Sequence, residues 1–269
     1  MACEPVRRAW AQADARCIHY LQAGSGRPLL LLHQSPSSSA MWLPLMPLLA
    51  ADGFHVLAPD LPGFGASEAF AQPPDLADFA AAMGAFCDAL ALARIDVLGH
   101  HTGAAVGLEL ARREPDRVGA LVLWGIPLLE DTLRERLAAE RSPVWDADGT
   151  QLLRAWQRRR ELSGAAFTPE LGVRCLLELL QCGERLPWGH WAVARADMRA
   201  LLRQVRHPVL AICGERDPVW PRAREAAALL ARGTFAHVPG AGLDVVDELP
   251  QQVRLLTREF VQRHRPAAG

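Results

Sequence analysis

The groups best suited to moving a proton are the adjacent histidines His100 and His101, set between Gly99 and Gly103. Imidazole is the one side chain whose unperturbed charge change falls between pH 5 and 8, so a histidine oriented by a carboxylate can act as a general base. Two loops downstream offer such a carboxylate. One reads Ile212-Cys213-Gly214-Glu215-Arg216-Asp217-Pro218, the other Val238-Pro239-Gly240-Ala241-Gly242-Leu243-Asp244. His33 follows an apolar run, and His190 lies in Pro187-Trp188-Gly189-His190-Trp191. His33, His101 and Asp217 would also compose a two-histidine, one-carboxylate set of the kind that suits non-haem iron, a weak signal that we set aside. Every basic residue is arginine and none is lysine, which excludes Schiff-base chemistry, a lysine base and a P-loop. Cys3, Cys17, Cys87, Cys175, Cys182 and Cys213 lack CxxC spacing, so neither a zinc ribbon nor a redox pair is indicated, and reduced buried thiols are expected.

These groups need elements to position them. Short apolar runs recur at Leu29 to Leu32, Val56 to Ala58, Ile95 to Leu98, Leu121 to Trp124 and Val209 to Cys213. Continuous apolar strands of this kind fit a parallel sheet buried on both faces. Amphipathic stretches of helical length lie between and after them, at Met41 to Ala51, Leu76 to Leu92, Ala104 to Arg113, Arg222 to Ala231 and Val253 to Arg263. The alternation predicts a doubly wound α/β fold with right-handed crossovers. It breaks between about Leu128 and Gln204, where the chain turns helical, charged and tryptophan-bearing, with Trp145, Trp156, Trp188 and Trp191. The expected organisation is therefore a core formed by residues 1–127 and 206–269, interrupted by a helical cap over residues 128–205.

At 269 residues, half of them apolar, the chain can bury a substantial core in one domain. A net charge of -1 gives no electrostatic footprint suited to nucleic acid. The absence of a leader-like segment and of a long apolar stretch leads us to expect a cytoplasmic protein without a membrane partner. The partner expected is a small-molecule substrate, and a homodimer stays open. Abundant Ala, Arg and Leu without Lys or Asn points to a GC-rich bacterial genome.

Four patches, in order and spanning nearly the whole chain, resemble the α/β-hydrolase superfamily, in particular its capped esterases, epoxide hydrolases and dehalogenases. Leu32-His33-Gln34-Ser35-Pro36 is similar to the family's His-Gly-x-Pro loop, which implies half of an oxyanion hole at the Ser35 N–H; Gln34 replaces the glycine. Asp60-Leu61-Pro62-Gly63-Phe64-Gly65-Ala66-Ser67 resembles a structural turn. Gly99-His100-His101-Thr102-Gly103 matches the nucleophile elbow Gly-x-Ser-x-Gly except that His101 stands where the serine belongs, and the Thr102 N–H would complete the oxyanion hole. The resemblance makes Asp217 the triad acid, and it puts Leu243 where the catalytic histidine belongs.

Serine and histidine are thus both missing, which dismantles acyl-enzyme chemistry of the usual kind. A histidine rooted at the elbow reaches further than a serine hydroxyl, into roughly the space of the absent ring. The resulting expectation is a dyad in which Asp217 orients His101 as general base, with Ser35 and Thr102 as the oxyanion hole and no cofactor. Gln34, Trp124, Trp188, His190 and Leu243 are expected to line the site. Water attack on an ester, lactone or epoxide is the first reaction considered. Proton abstraction by a lyase, isomerase or cyclase is the second, and a ligand-binding protein without turnover the third.

Overall fold

In a computed structural model, which describes residues 5–264, eight strands form one sheet in the order β1-β2-β4-β3-β5-β6-β7-β8. β1 (Arg7–Ala13) and β2 (Arg16–Ala23) pair antiparallel, and β2 joins β4 (Phe54–Pro59) antiparallel. From β3 (Arg27–Leu32) through β5 (Ile95–His100), β6 (Val118–Trp124), β7 (Val209–Gly214) and β8 (Gly233–Val238) every pairing is parallel. The doubly wound α/β expectation therefore holds. All six residues of β5 and of β7 are buried, as a strand covered by helices on both faces requires.

The helices are α1 (Met46–Ala51), α2 (Leu76–Ala89), α3 (Thr102–Arg113), α4 (Asp131–Ala138), α5 (Thr150–Ser163), α6 (Pro169–Cys182), α7 (Trp188–Arg195), α8 (Met198–Gln204), α9 (Ala223–Leu229), α10 (Val245–Glu248) and α11 (Pro250–Arg263). The helix expected over Met41 to Ala51 is instead a 3-10 turn at Ser39–Trp42 followed by α1, because Pro44 and Pro47 cannot supply the N–H groups of a continuous helix. α2 starts at a reciprocal capping box between Asp75 and Asp78. α6 starts at Thr168, whose side chain accepts from the Leu171 N–H, with Pro169 in the first helical position.

Between the end of β6 at Trp124 and the start of β7 at Val209 lie α4 to α8. α8 packs beside α3 and α9, and α7 packs against α4 and α3, so the last two helices of this insertion both rest on the core. Five contacts tie the insertion down. Glu178 of α6 accepts from the Ser37 and Ser38 hydroxyls at 3.1 and 2.7 Å, and Arg174 makes a two-pronged bond to Asp247 at 2.8 Å on each arm. His190 of α7 donates to the Ser35 carbonyl at 2.8 Å, Arg159 of α5 pairs with Asp244, and Arg185 donates to the Gly63 carbonyl at 3.3 Å.

Cys87, Cys182 and Cys213 are free and buried, whereas Cys17 and Cys175 are half-buried; Cys3 lies outside the described residues. Among the described residues no helix is long and apolar enough to cross a membrane.

Candidate active site

The site is assembled where β5, β6 and β7 end. Beyond the strands proper, the His101 N–H bonds the Trp124 carbonyl at 2.9 Å and the Gly125 N–H bonds the Ile212 carbonyl at 2.8 Å, so the ladder locks the three carboxyl ends together. Open α/β sheets present their ligands at these ends.

His101 caps α3 with φ +47° and ψ -109°, a conformation that L side chains seldom adopt. Such backbone is held only where the surroundings over-determine it. Here two close approaches do so. A Cβ on Gly99 would meet the Gly103 carbonyl oxygen at 2.7 Å, and one on Gly103 would meet the Leu32 carbonyl oxygen at 2.0 Å. The first turn of α3 is thereby pressed against the end of β3, and the His101 side chain is turned away from the sheet into a cavity of about 510 Å³ under the cap.

The His101 ring meets Asp217, Nε2 to Oδ2, at 2.8 Å. Asp217 is held in turn by the Val219 N–H, which donates to Oδ1 at 3.0 Å. Burial pushes the Asp217 carboxyl up, but the charge and hydrogen bond of His101 and the Val219 N–H outweigh it and hold the group below its ordinary value. An ionised carboxylate only accepts, so Nε2 carries a proton, and in the neutral form of the ring Nδ1 keeps its lone pair. Nδ1 has no partner among the described residues, and the ring forms part of the cavity wall.

Gly125 makes the dyad possible. A Cβ there would lie 2.4 Å from Nε2 and 3.1 Å from the Asp217 Oδ2, and its own φ is +61°. His100 stacks beneath His101, ring centroids 4.8 Å apart and 14° from parallel. Burial first, then the neighbouring charge of His101, drives His100 well below its ordinary value and keeps it a neutral platform.

Ser35 and Thr102 both line the cavity, and neither backbone N–H is engaged with another described residue. His33, behind them, has both nitrogens in use: Nδ1 donates to the Gln34 carbonyl at 2.7 Å, and Nε2 accepts from the Leu61 N–H at 2.8 Å. It supports the loop and has no lone pair for a metal, and among the described residues no three His, Cys, Asp or Glu side chains cluster to hold one. Asp60 is equally structural, accepting from Ser39 N–H at 2.6 Å and Ala66 N–H at 2.9 Å.

Of the residues expected to line the site, Gln34, His190 and Leu243 do so. Trp124 does not. Strand side chains alternate between faces, and this one falls on the side of Trp42, Leu98 and Ile212, where it is 1% exposed. Trp188 is also outside the cavity, packed beside Gly63 and against the core that holds Phe64. Trp156, one of the tryptophans of the helical stretch, lines the cavity in their place. Arg158 and Arg159 of α5 line the cavity as well, and Arg159 is paired with Asp244. Gly125 and Glu178 were not singled out. The first had a usable signal, a glycine directly after an apolar strand. The second had none, because its partners are 140 and 141 residues away in the chain.

Residues 27–159 match the family described as alpha/beta hydrolase fold. A haloalkane dehalogenase of Mycobacterium marinum is 32% identical over 248 residues, which cover 83% of this chain and 78% of that protein. A 2-hydroxymuconate semialdehyde hydrolase of a Pseudomonas strain is 31% identical over 217 residues, 74% of this chain and 73% of that one. Among solved structures, a malate-bound thermophilic esterase of Thermogutta terrifontis superposes with a TM-score of 0.78 at 24% identity, covering 96% of this chain and 100% of that one.

Proposed function

The chain belongs to the alpha/beta hydrolase fold family, and on that premise we propose that it is a hydrolase in which a His101 and Asp217 dyad replaces the serine-histidine-acid triad. One observation carries this reading: Nε2 is bonded to a buried carboxylate at 2.8 Å while Nδ1 is left free on a ring in the cavity wall. In this reading Nδ1 takes a proton from water as the water oxygen attacks the carbonyl carbon of an ester or lactone, or the ring carbon of an epoxide. Asp217 stabilises the imidazolium that forms. The N–H groups of Ser35 and Thr102 receive the developing oxyanion, and Nδ1 then returns its proton to the leaving oxygen.

The geometry differs from the triad in which ring nitrogen meets the acid. In the familiar arrangement Nδ1 faces the acid and Nε2 the substrate. A ring rooted at the elbow enters from the opposite side, so the two nitrogens exchange duties. No covalent intermediate is required, because no serine hydroxyl stands at the elbow. We further read the protein as acting in the cytoplasm on a small molecule, without a cofactor, a nucleic acid or a membrane partner.

The test uses p-nitrophenyl esters, lactones and epoxides together with a fluorophosphonate probe. Turnover of at least one of these classes is expected from a protein that the probe leaves unlabelled. Stoichiometric labelling of a serine in the cavity, such as Ser35, means that the nucleophile lies there and overturns the water-activation reading.

A further inference from the structure

The charged groups in the cavity wall are strongly unbalanced. Arg136, Arg141, Arg154, Arg158 and Arg159 line it, against a single carboxylate, Glu140. Glu140 is already engaged by His190 on its Nδ1 side. Arg136, Arg154 and Arg158 form no ion pair with any described residue. The whole chain carries a formal charge of only -1, so positive charge has been concentrated at this opening and is not a general property of the surface.

The arrangement of α5 points the same way. An ordinary surface helix turns its leucines inward and its arginines to solvent. α5 turns Arg154 and Arg158, four residues apart, to the cavity, together with Arg159. Leu152 and Leu153, by contrast, are 37% and 65% exposed and lie outside it. Arg159 sits deepest of the three. Asp244 takes one of its amino groups, but its buried Nε has no acceptor. A buried donor without an acceptor is costly, and the cost is relieved when an acceptor arrives. The rest of the wall is largely apolar, with leucines from α4 and α6.

We propose that the cavity selects an organic carboxylate: a small molecule with an apolar body and one anionic group held by the arginines of α5. The fork of a guanidinium matches a carboxylate, and exposed arginines at the mouth raise the local concentration of anions. Turnover of the bound anion rests on the dyad reading above, whereas its binding does not.

Isothermal titration of 2-naphthoate against 2-naphthamide separates the two. The pair differ in charge but hardly in shape. At low ionic strength the wild-type protein should bind the acid about tenfold more tightly than the amide. That preference should shrink as the screening length falls from about 30 Å at 0.01 M salt to about 10 Å at 0.1 M. In the Arg154→Gln and Arg158→Gln double variant, which changes only exposed side chains, the preference should drop to within about twofold while amide affinity holds. His101→Ala should keep the preference, so a failed dyad and a failed anion site give different results. Equal affinities in the wild type, an unchanged preference in the double variant, or no naphthoate binding at millimolar concentration each overturns the proposal.

Discussion

Replacing His101 with alanine is expected to lower kcat/KM toward whichever ester, lactone or epoxide the protein turns over by about 10² to 10⁴, the range for removal of a positioned general base. That corresponds to about 3–5 kcal/mol of lost transition-state stabilisation. The oxyanion donors are backbone N–H groups of Ser35 and Thr102 and survive the change, so residual turnover above the uncatalysed rate should persist. His101→Gln is the companion variant, since its amide can still donate to Asp217 but cannot accept a proton at neutral pH. His101→Gln should melt within a few degrees of the parent, whereas His101→Ala leaves the buried Asp217 carboxylate with only the Val219 N–H and should melt lower. Turnover by the two variants equal to that of the parent removes the base from the mechanism.

Asp217→Asn should be nearly as damaging, about 10² to 10⁴ in kcat, through the tautomer of a neighbour it barely displaces. Asp217 accepts two N–H groups, one from His101 and one from Val219. Asparagine has one carbonyl oxygen to offer. The Val219 backbone can only donate, so it claims that oxygen, and the new amide NH₂ faces Nε2. The ring then accommodates by moving its proton to Nδ1, where it presents a donor to the cavity and no longer a base. Substrate affinity should change little, which distinguishes this from a collapsed site. The pH behaviour follows from the same carboxyl. Its folded-state value is depressed, so the stability it contributes is complete above the usual carboxylate range of about 4 and is lost only as pH falls through the lower folded value. Loss of activity in mildly acidic solution must therefore come from a group other than Asp217.

The fold was legible where physics leaves a local trace. The parallel strands β3 to β7 are buried on both faces and so read as unbroken apolar runs such as Leu29 to Leu32. β1 and β8 leave no apolar run because they are edge strands: Arg7-Arg8-Ala9-Trp10 keeps one side in solvent, and Gly233 to His237 is exposed or half-buried throughout. β2 begins with a half-buried arginine and cysteine and reads as no clear run. The elbow was legible because two glycines are forced by backbone approaches under 3 Å, a constraint written directly into residue type. The cap was not. Arg159 with Asp244, and Glu178 with Ser37 and Ser38, are contacts between segments far apart in sequence, and no periodicity marks them. The misplaced Trp124 shows the same limit, since an aromatic at a strand end faces the site or the core according to a register that only pairing fixes.

Nitrogen-15 NMR of the labelled histidines at slightly alkaline pH, with the His101→Gln variant to assign the resonance, observes the proton on this ring directly. The arrangement around Asp217 requires His101 to carry its proton on Nε2, with Nδ1 showing the shift of an unprotonated nitrogen, and to exchange the two in Asp217→Asn. A His101 ring protonated on Nδ1 in the wild-type protein would mean that no base faces the cavity, and the dyad would have to be abandoned.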